Sequence, residues 1–150
     1  MNGTNNWFRL ARLLTSLVLL TAAGCDLNAQ SPSTVAGRTF QMAVSSGSFP
    51  FASSGAFRAL PSALDTTYAI VPISGNISAS TGTYTYTKTG ASTATLSFAD
   101  SVTGTLTASC TFNTASSGSY VLTSTSFPGG SQTGTFFMYS GTSPASLAGY

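Results

Sequence analysis

The sequence contains no histidine and no glutamate, and its three acidic residues are all aspartates. The absence of histidine excludes Ser-His-Asp and Cys-His catalytic arrangements and histidine-based metal sites. Nothing in the sequence brings Asp65 and Asp100 together as a pair of catalytic carboxylates. Lys88 lies near a predicted hairpin tip among threonines. This position favours a solvated lysine that protects a strand edge from aggregation over a lysine that activates a catalytic serine. We therefore expect no enzyme, no bound metal and no cofactor.

Charge of either sign is also scarce, since charged residues make up 5% of the chain. The formal charge of +2 comes from Arg9 and Arg12, because the acids and bases beyond residue 24 balance. No basic patch is present to displace counterions from phosphates, which excludes nucleic acid as a partner. Serine and threonine supply 49 of the 150 residues. Such composition can indicate disorder, but the regular placement of ten Phe and six Tyr favours a folded domain.

The first 24 residues have the organisation of a secretory signal peptide. A polar start with two arginines precedes an apolar segment, and small residues lead up to Cys25. Even when it is counted from Leu10 to Ala23, across Arg12, the apolar segment has 14 residues, fewer than the roughly 20 that a membrane-spanning helix requires. We predict a signal peptide over residues 1–24 with cleavage between Gly24 and Cys25.

Residues 22–25, Ala-Ala-Gly-Cys, resemble the lipobox of bacterial lipoproteins, although that family most often has Leu where this chain has Ala22. In the family, the cysteine thiol receives a diacylglycerol, the signal is cut before it, and the new amino group is usually acylated. The resemblance implies that Cys25 carries acyl chains such as palmitate and that membrane lipid is a partner of the protein. It implies a place in the cell envelope, at the periplasmic face of the inner or outer membrane or at the cell surface. The alternative is a secreted β protein without lipidation.

The remaining chain divides into a short linker and one domain. Residues 25–37 are polar and are interrupted by Pro32, which predicts a lipidated Cys25 followed by a flexible tether. Residues 38–150 are enough for one domain, because domains usually comprise roughly 100–150 residues.

A motif of Gly, a small residue and an aromatic residue or Leu recurs through this domain, at residues 55–57, 82–84, 104–106, 118–120 and 134–136. We interpret these glycines as turn residues with positive φ that precede strands. The runs that follow alternate with a period of two. In 104–112, apolar side chains at even positions alternate with Thr and Ser at odd positions, so the two sets lie on opposite faces of the strand. This alternation is typical of a strand with one face on a core, and it predicts that Cys110 is a buried small hydrophobe.

Short spacers that contain Gly or Asn separate these runs, and spacers of about three to five residues connect antiparallel neighbours. The predicted strands are 39–45, 56–60, 66–72, 83–89, 93–99, 104–112, 118–126 and 132–140. We predict an all-β fold: a small, antiparallel, closed or nearly closed barrel of about eight or nine strands built from hairpins. Closure removes exposed edges, which a chain with one lysine could not easily guard. A β-sandwich is the alternative.

Residues 82–96, GTYTYTKTGASTATL, resemble a hairpin that recurs in small bacterial envelope lipoproteins. Some of these are predicted to form shallow, petal-like barrels and are known as β-flower proteins. The similarity covers about residues 80–140 and implies a shallow barrel. That group has no assigned activity, so the resemblance implies no site residues.

The last predicted strand contains a run that is apolar on both faces, Phe-Phe-Met-Tyr. Successive side chains alternate in a strand, and Phe137 and Tyr139 are in register with Thr135. We therefore predict that Phe136 and Met138 face the core and that Phe137 and Tyr139 are exposed. Phe137 and Tyr139 are therefore the candidate binding residues, for a small apolar or sugar ligand or for an envelope protein partner. The other aromatic residues are expected to form the core. The alternative function is a purely structural envelope or surface protein with no ligand.

Overall fold

The computed structural model describes residues 29–141. The predicted signal peptide over 1–24, its cleavage at Gly24 and the lipidation of Cys25 lie outside the described residues. Within residues 29–141, there is no helix long and apolar enough to cross a membrane.

Residues 29–141 form one closed barrel in which each strand pairs antiparallel with the next and the last returns to the first. The strands are β1 (Arg38–Gly47), β2 (Gly55–Pro61), β3 (Thr67–Ser74), β4 (Ser80–Lys88), β5 (Thr93–Asp100), β6 (Gly104–Thr114), β7 (Ser117–Ser124) and β8 (Ser131–Ser140). The predicted all-β, closed antiparallel barrel is confirmed, and the β-sandwich alternative is not. Each of the eight predicted strands corresponds to one of these elements.

Alternation of threonine with apolar side chains produces the strands as predicted. In β6, the side chains of Leu106, Ala108, Cys110 and Phe112 point into the barrel and are all buried. Threonine and serine at the intervening positions form the outer wall. Cys110 is a free, buried cysteine, and burial raises the pKa of its thiol to about 12. The prediction that Cys110 behaves as a small hydrophobe is confirmed.

The recurrent glycines do not all serve as turns, which corrects the sequence interpretation. Gly104 has a positive φ of 75° at the start of β6, as predicted. Gly82, Gly118 and Gly134 instead lie inside strands and have no positive φ. A Cβ added to Gly134 would lie 2.7 Å from Cε1 of Tyr120. The missing side chain leaves room for an aromatic ring from the neighbouring strand, as in sheets where aromatic residues cover glycines.

The barrel has two different ends. We call the end with the turns 48–54, 75–79, 101–103 and 125–130 the open end. The opposite end, with the turns 62–66, 89–92 and 115–116, is the closed end.

The segment 31–37, here called the N-terminal segment, packs against the closed end. Val35 has none of its surface exposed and belongs to the core. The amide of Ser31 donates a hydrogen bond to the carbonyl oxygen of Ala91, 2.8 Å away. The flexible tether predicted over 25–37 is therefore wrong for 31–37, because one apolar side chain in this polar stretch packs into the barrel.

Side chains of β4 hold the same segment. The Lys88 Nζ donates a hydrogen bond to the carbonyl oxygen of Ser31 at 2.8 Å. The hydroxyl of Tyr86 donates to the carbonyl oxygen of Pro32 at 2.6 Å. Lys88 is exposed, as expected of an edge guard, but it also fixes the chain that covers the closed end.

Candidate functional site

The core is tightly filled toward the closed end. The ring of Phe136 lies 5.6 Å from the ring of Phe40 and 5.1 Å from that of Phe112, measured between centroids. Met138 is also buried, with 1% of its surface exposed. These side chains and Val35 of the N-terminal segment fill the interior here. A cavity of about 240 Å³ at the closed end is lined by other residues, among them Arg38, Leu60 and Gly141.

The open end instead contains a cavity of about 230 Å³. Inward side chains of several strands form its wall, including Phe57, Phe98, Leu106 and Leu122. Residues 50–52, Ile77 and Phe127 from the surrounding turns form its mouth. An apolar cavity of roughly 150 Å³ is large enough to bind benzene. The cavity can therefore hold a ligand of one ring with a short chain.

Of the described residues that line this cavity, Asp100 at the end of β5 is the one that carries a charge. Its Oδ2 accepts hydrogen bonds from the hydroxyls of Tyr68 at 2.5 Å and Ser80 at 2.6 Å. Its Oδ1 accepts from the amides of Val102 at 2.9 Å and Thr103 at 2.8 Å, and from the Thr103 hydroxyl at 2.8 Å. We call Asp100 and these donors the polar cluster.

The polar cluster keeps the carboxylate ionised. Burial raises the pKa of Asp100, but the hydrogen bonds donated by the surrounding hydroxyls and amides outweigh burial and lower the pKa to about 2. The pKa of Tyr68 is raised, first by burial and then by its hydrogen bond to Asp100 and the charge there. At neutral pH, the cavity wall therefore carries one negative charge and a protonated tyrosine.

A second polar contact lies in the same cavity. The hydroxyl of Tyr120 donates to Oε1 of Gln132 at 3.0 Å, and Nε2 of Gln132 donates to the carbonyl oxygen of Ala52 at 3.1 Å. Gln132 is buried, with 4% of its surface exposed. This chain of contacts ties the wall of the barrel to the turn that follows β1.

Apolar side chains surround the mouth. Phe49 is 80% exposed, and its ring meets that of Phe127 edge-on with centroids 5.6 Å apart. Val102 is also exposed, beside the polar cluster. Exposed apolar side chains that rim a cavity are typical of a ligand entrance or a contact surface.

The predicted binding residues Phe137 and Tyr139 lie elsewhere, on the outer wall of β8. Their rings stack with centroids 6.1 Å apart and planes 27° apart, and 54% of Phe137 is exposed. Phe136 and Met138 are buried, so the predicted orientation of this strand is confirmed. We call Phe137 and Tyr139 the outer aromatic pair. Neither residue lines the cavity.

The structure places the two aspartates of the domain at opposite ends. Asp65 lies in a closed-end turn, where it accepts hydrogen bonds from the amide and hydroxyl of Thr67. These hydrogen bonds lower the pKa of Asp65. Within 29–141, no group of three or more His, Cys, Asp or Glu residues could hold a metal ion.

Sequence reasoning missed the polar cluster. A local signal was present, since an aspartate followed by Thr three residues later can form an Asx turn. The partners Tyr68 and Ser80 have no such signal, because they lie 32 and 20 residues away along the chain.

No protein family, curated protein or solved structure matches this chain. Function is therefore inferred from the cavity, the polar cluster and the outer aromatic pair.

Proposed function

We propose that this protein is a lipid-anchored, non-catalytic binding module of a bacterial envelope that takes a small, mainly apolar ligand into the open end of its barrel. The observation that carries the proposal is the cavity of about 230 Å³. Its aromatic and aliphatic walls with a few buried polar groups are typical of small-molecule sites. Inside the barrel, large buried side chains such as Phe112, Phe136 and Met138 fill the part toward the closed end, whereas inward side chains of the open end line the cavity. This difference favours a binding role over a purely structural one.

The ionisable groups that line the cavity support a non-catalytic role. Among the described residues they are Asp100, Tyr68 and Tyr120. Asp100 accepts five hydrogen bonds and has a lowered pKa, whereas burial raises the pKa of both tyrosines. A general acid or base needs a pKa near the working pH, and none of these three groups has one.

Anchoring through Cys25 rests on the lipobox resemblance. Several acyl chains hold a protein at a membrane far more firmly than one. The intact mass of the membrane-extracted protein should exceed that of residues 25–150 by the mass of the acyl groups. An unmodified Cys25, or a chain that still begins at Met1, would refute the anchor.

Ligand binding can be tested by NMR of methionine methyl groups. Met42 lines the cavity, whereas Met138 is buried and is not part of its wall. Titration of the membrane-purified protein, in nanodiscs, with 2-phenylethanol should shift the Met42 methyl resonance and leave that of Met138 in place. Equal shifts of both resonances, or no shift of either, would contradict the proposal.

Two adjacent substitutions on β7 provide a matched pair for this titration. Leu122 lines the cavity, so Leu122→Trp should fill it and abolish the Met42 shift. Val121 points outward and is 46% exposed, so Val121→Trp should bind as the unmodified protein does. Equal binding by both variants would place the probe outside the cavity.

The outer aromatic pair supports a second candidate. Stacked, exposed rings can hold the face of a sugar or anchor a protein partner. Replacement of both Phe137 and Tyr139 by serine should then abolish retention of the protein on envelope polysaccharide without altering the cavity titration. If retention is unchanged and the cavity binds no probe, the purely structural alternative is favoured.

A further inference from the structure

We infer that the cavity selects a cationic ligand: a small apolar amine, with one ring or a short chain. This inference rests on the proposed function, since it names the class of ligand that the same cavity would take. It follows from which hydrogen-bonding groups are left free, from the charge of the wall and from the aromatic rings beside it.

The hydroxyls of the polar cluster present acceptors to the cavity. Tyr68, Ser80 and Thr103 each direct a hydroxyl hydrogen to Asp100. A hydroxyl has one donor hydrogen and two acceptor lone pairs. Because each of these hydrogens is already used, the oxygens can pair with a ligand that donates hydrogen bonds and cannot themselves donate to a ligand acceptor.

The charge of Asp100 is compensated by neutral donors, all of which are hydroxyls or backbone amides. None of the described cationic residues lines the cavity. Arg38 begins β1 at the closed end, and Lys88 ends β4 there. Arg58 alternates with the inward Phe57 and therefore lies on the outer face of β2. A ligand ammonium would provide the missing positive charge, whereas a carboxylate would be repelled.

Aromatic rings stand next to this charge. The rings of Tyr68 and Phe98 meet with centroids 4.9 Å apart, and both residues line the cavity with Phe57. An ammonium group near the face of such rings is attracted by their quadrupole, most strongly where water is excluded. Leu106 and Leu122 line the same cavity and can contact the apolar remainder of the ligand.

The volume limits the size of the amine. About 230 Å³ exceeds the roughly 150 Å³ that holds benzene but is below the roughly 300–1,000 Å³ of sites for drug-sized molecules. A phenylalkylamine or a short branched alkylamine meets this limit. A long-chain amine would extend out of the mouth, past the exposed ring of Phe49.

Three probes of nearly equal shape test the charge selectivity: 2-phenylethylamine, 2-phenylethanol and phenylacetate. Each is titrated at pH 7 and low salt against the membrane-purified protein, with the Met42 methyl resonance as the readout. We expect the amine to bind at least about tenfold more tightly than the alcohol, as a charge-assisted hydrogen bond warrants. Phenylacetate should bind most weakly.

Two isosteric substitutions locate the source of the preference. Asp100→Asn keeps the shape of the side chain but removes its charge, so the amine and the alcohol should then bind about equally. Asp65→Asn removes the charge of an exposed aspartate at the closed end and should leave the tenfold preference unchanged. If Asp100→Asn fails to fold, the ranking of the three probes on the unmodified protein still decides.

The outcomes separate this inference from the proposed function. If the alcohol shifts Met42 and the amine binds no more tightly, the inference is overturned and the apolar binding module stands. The inference is likewise overturned if Asp65→Asn abolishes the preference. If none of the three probes shifts Met42, the proposed binding function fails together with it.

Discussion

At the scale of single residues, Asp100 should make stability depend on acid pH. Its pKa is about 2 in the folded protein, against roughly 3.9 for an unperturbed aspartate in the unfolded chain. A depressed folded pKa contributes stability that is fully present above about pH 4 and is lost as the pH falls toward 2. Urea unfolding at pH 6, 4, 3 and 2 should show this loss. Asp100→Asn should show a smaller loss over the same range, and equal losses in both proteins would contradict the assignment.

Two neighbouring phenylalanines on β8 provide a second test at this scale. Phe136 contacts the rings of Phe40 and Phe112, so Phe136→Ala should lower the free energy of unfolding by about 3–5 kcal/mol. Phe137 is more than half exposed, so Phe137→Ala should change it by less than about 1 kcal/mol. Thermal or urea melts of the two variants measure the difference. Large and equal losses would mean that both faces of β8 are buried, which would remove the outer aromatic pair as a binding surface.

At the scale of elements, the N-terminal segment is a structural part of the barrel. The side chain of Val35 is fully buried, and Val35→Ala should therefore lower the free energy of unfolding by about 1–3 kcal/mol. Ala36→Ser alters the exposed neighbour and should have no comparable effect. Urea unfolding of both variants measures this. If Val35→Ala is neutral, the segment is the flexible tether that the sequence predicts.

The strands could be predicted from sequence because their signal is local. In β6, threonine or serine alternates with apolar residues at a period of two, and in β8 Phe137 and Tyr139 continue the register of Thr133 and Thr135. This register indicates both the strand and the face that is buried. The same register predicts that Phe136 is buried and that Phe137 is exposed. The N-terminal segment was missed for the same reason: its polar composition is typical of a linker, and one valine is not a periodic pattern.

The candidate site could not be predicted in the same way because its parts are distant in the chain. Asp100, Tyr68 and Ser80 come from β5, β3 and β4, and the register in which β4 pairs with β3 and with β5 brings them together. The cavity depends on how inward side chains fill a closed volume, which no alternation pattern describes. The aromatic content predicted a core correctly, but it did not show that the core is packed at one end and open at the other.

At the scale of the whole molecule, core packing at the closed end stabilises the barrel, and the cavity at the open end is available for binding. Aromatic side chains and the N-terminal segment pack the interior at the closed end. Truncation of a buried Phe there should lower the free energy of unfolding by about 3–5 kcal/mol. The open end leaves a cavity unfilled, which forgoes packing energy that apolar side chains could supply. A ligand that fills this cavity should therefore stabilise the fold, since binding to the folded state shifts the unfolding equilibrium.

The same asymmetry predicts how the barrel is oriented at a membrane. If Cys25 is lipidated, the chain to Ser31 can extend at most roughly 20 Å, and Ser31 is fixed to the closed end by its contacts with Ala91 and Lys88. The closed end should therefore face the bilayer, and the mouth of the cavity should point away from it.

Fluorophores attached at the two ends of β6 can measure this orientation. Ser116→Cys places a label in a closed-end turn, and Val102→Cys places one beside the mouth. Between them lie the 11 residues of β6, which extend about 36 Å at roughly 3.3 Å per residue. Cys110 is buried and its thiol pKa is raised to about 12, so it should not take up the label. In vesicles with headgroup-attached quenchers, the label at position 116 should be quenched strongly and that at position 102 weakly. Equal quenching, or stronger quenching at 102, would mean that the mouth faces the bilayer and that ligands reach the cavity from the membrane.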